Sequence, residues 1–299
     1  MEQGLPPKSV TDKDAKSIET GRFDNDSTRL VSFFRAAEVV SRLEGGDSPR
    51  QSVCKEESMR VAIMSDIHGF DLALRAVLDD IDQHGPFDQI VVAGDLCEIG
   101  PRPDEVIRIL QERGIPAVRG NTDVDLIEGA KAGTSNDELC YGIDRLGKDG
   151  LAYLRKLPFA HRITPPDSEG HWDDLLIVHA NPLNLNDPLA PELSDEKLLA
   201  LIGPTEAAMI AFGHIHICYI RQVGRYLLFD VSAGGNSKNG DLSSKWGIAT
   251  WNPISRRWSA ELRSVPYPIE ATEAEIVACG VPHAKKVIKK LKAASYRDR

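Results

Sequence analysis

The chain has 299 residues, 41% of them hydrophobic and 27% charged, with a formal net charge of −9. That balance fits a globular protein with a sizeable core, and the acidic pI near 5.4 speaks against bulk binding to nucleic acid. No run approaches the roughly 18 apolar residues of a membrane-spanning helix, and the five scattered cysteines, never spaced Cys-x-x-Cys, argue for a reducing cytoplasm over a disulfide framework or a structural zinc site.

Residues 1–58 are rich in Ser, Asp, Lys and Glu and broken by Pro6-Pro7, Gly45-Gly46 and Ser48-Pro49. They read as a largely disordered extension without the basic and apolar regions of a secretory signal. Within it Leu30, Phe33, Phe34, Ala37, Val40 and Leu43 fall near helical spacing and predict a short helix over 28–43. Met59, which opens directly into the first apolar run, is an alternative start.

From residue 60 a unit repeats: an apolar run, a polar tip, an amphipathic helix. Strands are predicted over 60–65, 89–93 and 116–119, with tips at Asp66-Ile67-His68-Gly69, Gly94-Asp95 and Gly120-Asn121-Thr122-Asp123. Helices are predicted over 71–83 and 103–113, the second with Pro103 in its first turn and Gly114 at its C-terminal cap. Residues 134–157 read as helical with an interruption near Gly147 and Gly150. A strand over 175–178 ends at His179, a helix covers 195–202, and a strand over 208–212 ends in Gly213-His214-Ile215-His216. Strands alternating with helices predict a mainly parallel sheet in an α/β fold. The signal then changes to short alternating segments over 217–223, 226–232, 246–251 and 257–262, which predict an antiparallel sheet, with Trp246, Trp251 and Trp258 as sheet packing. A basic amphipathic helix closes the chain, with Ala284, Val287, Ile288 and Leu291 on one face. The organisation is therefore an extension (1–58), a main domain (59–265) and a C-terminal segment (266–299).

Metal-type ligands gather at the tips: Asp66 and His68, Asp95, Asn121, His179, and His214 with His216. Four of the eight histidines stand there; His84, His161, His171 and His283 have no such context and read as surface or core residues. In an α/β sheet the carboxyl ends of the strands converge on one edge, so five loops can deliver seven donors to one place. Carboxylate and amide oxygens mixed with imidazole suit Mn²⁺, Fe or Zn²⁺ better than Ca²⁺. Seven donors exceed what one transition metal takes, so two divalent metal ions sharing a carboxylate are expected, roughly 3.5–4 Å apart.

Asp66-x-His68, Gly94-Asp95, Gly120-Asn121-x-Asp123, His179 and Gly213-His214-x-His216 stand in that order, each at a predicted strand end. The pattern resembles the calcineurin-like metallophosphoesterase superfamily over about residues 60–265. Ser65-Asp66-x-His68-Gly69 and Gly100-Pro101-Arg102-Pro103 make it similar to the small bacterial and archaeal phosphodiesterase branch. The resemblance implies a four-layer α-β-β-α sandwich of two mixed sheets. It also implies that Asp66, His68 and His216 hold one metal, that Asn121, His179 and His214 hold the other, and that Asp95 bridges them. Mn²⁺ leads, with Fe, Zn²⁺ or Ni²⁺ as the other candidates. The implied activity is hydrolysis of a phosphoester by in-line attack of a metal-bridging hydroxide.

Two departures from the family pattern sharpen the expectation. Thr122 stands where the superfamily has the histidine of Gly-Asn-His-Asp, and threonine is a poor general acid. Loss of a positioned acid costs about 10²–10⁴ in rate for a poor leaving group, so a diester or another ester with an acidic leaving group is expected over an alkyl phosphomonoester. Asp123, with no histidine to orient, is left to cap the next helix. Glu98 stands where Asp is frequent and is expected outside the ligand set. Arg102 and Arg119 flank ligand loops and are weak candidates for phosphate contact. The expected partner is a small phosphoester or nucleotide-type substrate, with no membrane and no bulk nucleic acid; self-association is compatible with it. The alternatives are a phosphoprotein phosphatase or dinucleoside polyphosphate hydrolase of the same superfamily, and a non-catalytic scaffold on the same fold.

Overall fold

The computed structural model describes residues 58–294; the extension with its predicted helix, and residues 295–299, lie outside the described residues. In chain order the elements are β1 (Met59–Met64), α1 (Asp71–His84), β2 (Gln89–Val92), α2 (Pro103–Glu112), α3 (Asn121–Ala132), α4 (Asp137–Lys156), β3 (Ala160–Ile163), β4 (Leu175–Val178), α5 (Asp195–Ile202), β5 (Met209–Phe212), β6 (Tyr219–Val223), β7 (Tyr226–Asp230), β8 (Ser244–Asn252), β9 (Arg257–Val265), α6 (Ile269–Ala278) and α7 (Ala284–Ala293). They build two mixed sheets, ordered β2-β1-β8-β9 and β3-β4-β5-β7-β6. The expectation of a mainly parallel sheet from the alternating units is corrected: β1 and β2 pair parallel in one sheet and β4 and β5 in the other, and β8 runs antiparallel beside β1.

Side-chain alternation along the strands sets the layers. In β1, Val61 and Ile63 join Leu175, Ile177, Met209 and Ala211 in a core between the sheets. Ala62 and Met64 point the other way, into a core with Leu74, Val77, Val106 and Leu110 of α1 and α2. In β4 and β5 the alternate residues Leu176, Val178, Ile210 and Phe212 pack with Leu198 and Ile202 of α5. Each central strand is thus apolar on both faces, which is why it reads as an unbroken apolar run. A smaller core of Phe70, Ala73, Ile276, Val281, Val287 and Leu291 seats α6 and α7 beside the start of α1.

Trp251 and Trp258 pack between the sheets and Trp246 in the helix-side core. The predicted strand over 116–119 reduces to a single parallel bridge, Val92 with Ala117. Pro116 has no N–H to give a ladder, and the Arg119 N–H goes to the Pro158 carbonyl. The predicted interruption falls at Gly147, whose φ of 58° breaks α4. Among the described residues no helix is long and apolar enough to cross a membrane.

Candidate metal centre

Backbone hydrogen bonds lace the strand tips together. The Asp66 N–H donates to the Gly94 carbonyl at 3.0 Å, His68 to Asp95 at 2.9 Å, and Gly213 to His179 at 3.0 Å. The tip of the second sheet then reaches the first, where the His214 N–H donates to Asp66 Oδ2 at 2.9 Å. The chain turns sharply at these points. Asp66, His68, Asp95, His214 and His216 all have positive φ, between 51° and 76°. Such backbone costs on the order of 1–3 kcal/mol per residue and persists where surrounding structure imposes it, typically at functional sites.

Two groups of ligand atoms result: Asp66, His68 and His216, and Asp95, His179 and His214, each with its atoms within 4.8 Å of one another. His216 Nε2 lies 3.1 Å from Asp66 Oδ1 and 3.0 Å from His68 Nε2. Asn121 Oδ1 joins the second group, 2.9 Å from His179 Nε2 and 3.0 Å from His214 Nδ1. Asp95 Oδ2 lies between the groups, 3.7 Å from His68 Nε2 and 3.4 Å from His179 Nε2. All seven donors expected from the sequence therefore meet in one place. Asn121 reaches it as the first residue of α3 rather than from a strand tip.

Three of the rings are held by backbone carbonyls. His179 Nδ1 bonds Ala93 O at 2.9 Å, His214 Nε2 bonds Asn186 O at 3.0 Å, and His216 Nδ1 bonds Asn236 O at 2.6 Å. A neutral ring that gives its one N–H to a carbonyl turns a lone pair toward the centre. In the His214 and His216 rings, whose protonation burial disfavours, lone pairs then face Asn121 Oδ1 and Asp66 Oδ1, which are acceptors themselves, and Asp66 Oδ1 is buried without a hydrogen-bond partner. Acceptors converging on acceptors in a buried site need positive charge between them. The donor set therefore fits divalent cations.

Without a cation the carboxylates keep a proton on His179. Burial pulls the His179 ring down, but the Asp95 and Asp66 carboxylates outweigh it and push it up to about 10. Burial pushes Asp95 up, but the His179 charge more than offsets it and holds the carboxyl at about 2. Asp66 is likewise held well below the ordinary carboxylate range against its burial, by the His216 and His68 rings beside it and the His179 charge. Burial lowers His214 and His216, which favours their unprotonated, ligating form.

Asp123 does more than cap a helix. Fully buried, it accepts the N–H groups of Gly120 (2.9 Å) and Asp95 (3.1 Å) on Oδ2 and of Leu96 (2.9 Å) on Oδ1. It thereby locks the Asp95 loop to the start of α3, where the Thr122 N–H donates to Asp95 Oδ1 at 3.0 Å. Burial and the Asp95 charge push its carboxyl up to about 7. The only sequence signal for this was its place three residues after Gly120.

A cavity of about 350 Å³ adjoins the centre, with His68, Asp95, Asn121, Thr122, His214 and His216 in its wall. The Thr122 hydroxyl is buried there without a hydrogen-bond partner. Glu98 also lines the cavity, and burial pushes its carboxyl up to about 7. Arg102 and Arg119 stand outside the lining, and the Arg102 guanidinium lies 3.8 Å from Glu275 instead. The four other histidines join neither ligand group: His84 lies against Asp80, His161 against Gln89, His171 against Asp174, and His283 at the start of α7.

Comparison with known proteins follows the same lines. The model of the calcineurin-like phosphoesterase superfamily domain matches residues 59–242. The chain is 29% identical over 159 residues to a symmetrical bis(5'-nucleosyl)-tetraphosphatase of Delftia acidovorans, covering 50% of this chain and 52% of that protein. It is 32% identical over 191 residues to an uncharacterized protein of Methanocaldococcus jannaschii, covering 57% of this chain and 68% of that one. The chain spans about half the length of the tetraphosphatases it matches. A solved metallophosphoesterase from Sphaerobacter thermophilus shares the fold, with a TM-score of 0.61 and 22% identity over 80% of this chain and 100% of that one.

Proposed function

The chain belongs to the calcineurin-like phosphoesterase superfamily, and on that premise we propose that it is a dimetal hydrolase of phosphoester bonds acting on small, nucleotide-type phosphodiesters. One observation carries the reading: Asp95 Oδ2 lies between two separate ligand groups, within 3.7 Å of a ring nitrogen in each. In this reading Asp66, His68 and His216 hold one cation, Asn121, His179 and His214 hold the other, and Asp95 is shared. When bound, two divalent cations acidify a water and neutralise charge on the phosphoryl oxygens; Mn²⁺ is the first choice, with Fe, Zn²⁺ or Ni²⁺ next.

The remaining work falls to the chain. The backbone carbonyls of Ala93, Asn186 and Asn236 hold the rings in their ligating tautomers. Thr122 keeps Asp95 Oδ1 engaged through its N–H, which leaves Oδ2 for the centre. Its hydroxyl can donate a hydrogen bond to a substrate oxygen but cannot protonate an alkoxide at neutral pH. The site therefore suits leaving groups that depart as stable anions. Phosphoanhydrides share that property, since the departing group is a nucleoside phosphate anion, and this supports dinucleoside polyphosphate hydrolysis as the second reading, in line with the relatives named as tetraphosphatases.

The test is metal analysis combined with Mn²⁺-dependent turnover of bis-p-nitrophenyl phosphate, diadenosine tetraphosphate and glycerol phosphate. The expected result is bound metal, turnover of the first or second compound, and little of the third. Thr122→His is expected to raise glycerol phosphate hydrolysis about tenfold or more. Protein that takes up no metal and turns over none of the three would favour the scaffold alternative.

A further inference from the structure

The family match ends at residue 242, and α6 and α7 lie beyond it. Yet α7 and the loop leading into it border the centre, with α6 packed behind them. Val281, Val287, Lys290, Leu291 and Ala293 line the same cavity as the ligand residues. The pair is fixed in place from several sides. Phe70 and Ala73 pack against Ile276 and Leu291. Arg102 lies 3.8 Å from Glu275 on α6, and Tyr267 Oη donates to the Gly235 carbonyl at 3.2 Å. The Gly240 N–H donates to the Ala294 carbonyl at 2.8 Å, which ties the end of α7 to the loop whose Asn236 carbonyl holds His216.

The cavity is two-faced. One side is the ligand centre, which takes an anion. The other is apolar, formed by Phe70, Val281, Val287 and Leu291, with Tyr141 beside them. The Tyr141 hydroxyl is spent on the Pro101 carbonyl at 2.7 Å, so its ring is what remains to offer a ligand. Asn236, Glu138 and Lys290 add polar groups to this lining, which suits a flat group with polar edges and would be wasted on an alkyl chain. A volume of about 350 Å³ is near the lower end for ligand sites, which run from about 300 to 1,000 Å³. That volume has room for one nucleoside phosphate.

We propose that α7 and the loop leading into it form the selective wall of the substrate site, and that this wall seats a single nucleoside of the substrate while its phosphate lies at the ligand centre. The proposal rests on the phosphoester reading for the position of the phosphate. Its test is calorimetric binding of AMP and of inorganic phosphate to the Mn²⁺-loaded full chain. Wild type is expected to bind AMP at least tenfold tighter than phosphate. Ala293→Trp, at an exposed position on the cavity wall, is expected to weaken AMP at least tenfold and to leave phosphate within twofold. Pro282→Trp, also on that wall, carries the same expectation should the first variant disturb the end of α7. Equal weakening of both ligands, an unchanged AMP affinity in both variants, or a wild type that binds AMP no tighter than phosphate would overturn the proposal. Selective AMP binding without diester turnover keeps the wall and rejects the hydrolase; turnover of methyl p-nitrophenyl phosphate without AMP preference does the reverse.

Discussion

Asp95 spends its two oxygens differently, and the difference defines its role. Oδ1 is held by the Thr122 N–H, while Oδ2 faces His68 on one side and His179 on the other. Asp95→Asn keeps the shape but removes the negative charge that two cations would share. Turnover is expected to fall by at least about 10²–10³, the scale of losing one preorganised electrostatic group, and bound metal to drop below two per chain. Wild-type turnover in that variant would reject the bridging role. The ligands were legible in the sequence because Asp, Asn and His at the ends of apolar runs have few competing explanations once seven of them line up. Asp123 was legible only as a cap, because the N–H groups it gathers include those of Asp95 and Leu96, which are close only after folding. Arg102 shows the opposite limit: adjacency in sequence to a ligand loop does not fix direction, and its guanidinium turns to Glu275 on α6.

At the scale of elements, the centre depends on how closely the tips approach. A Cβ added at Gly120 would fall on Asp95 Oδ1 and on the Asp95 backbone N, and one at Gly213 on Asp66 Oδ2 and Ser65 Oγ. Neither neighbour can give way without moving a ligand. Gly120→Ala is therefore expected to lower the melting temperature and to cut metal occupancy and turnover together; Ala at Gly114, where nothing lies within 4 Å, is expected to leave metal occupancy and turnover intact and to cost stability only through its positive φ. Equal metal content in the two variants would show that the tips are looser than the geometry implies. The central strands were readable because both faces are buried. β3 was not, since Ala160, His161 and Arg162 are partly or largely exposed and leave no apolar run. The start of α3 was hidden for a related reason: only Asp123, Leu126 and Ile127 are buried in it, so it carries little apolar periodicity. α6 buries only Thr272 and Ile276. Elements that the fold holds through loops and caps, rather than through an apolar face, leave a faint mark in the sequence.

For the whole molecule, the centre couples stability to pH and to metal. In the metal-free chain His179 titrates at about 10 against an ordinary value of 6.5, with burial opposing the shift and the Asp95 and Asp66 carboxylates producing it. A group with a raised folded-state pKa gives stability that is fully present below the unfolded value and is lost as pH rises through the folded one. The metal-free protein should therefore lose stability between about pH 6.5 and pH 10. A cation reverses the trend, because it binds the unprotonated ring and must displace that proton; its affinity grows over the same window. At a free concentration of about 100 times Kd a bound ion adds about 2.7 kcal/mol, or roughly 5–10 °C in a domain of this size. Thermal unfolding with and without a chelator at pH 7, 8 and 9 is expected to show a gap that widens with pH. His179→Ala should flatten the chelated protein's pH slope. A gap that narrows with pH, or a slope unchanged in that variant, would mean that the carboxylates are not acting on His179, and with that the buried charge assigned to the centre would lose its basis.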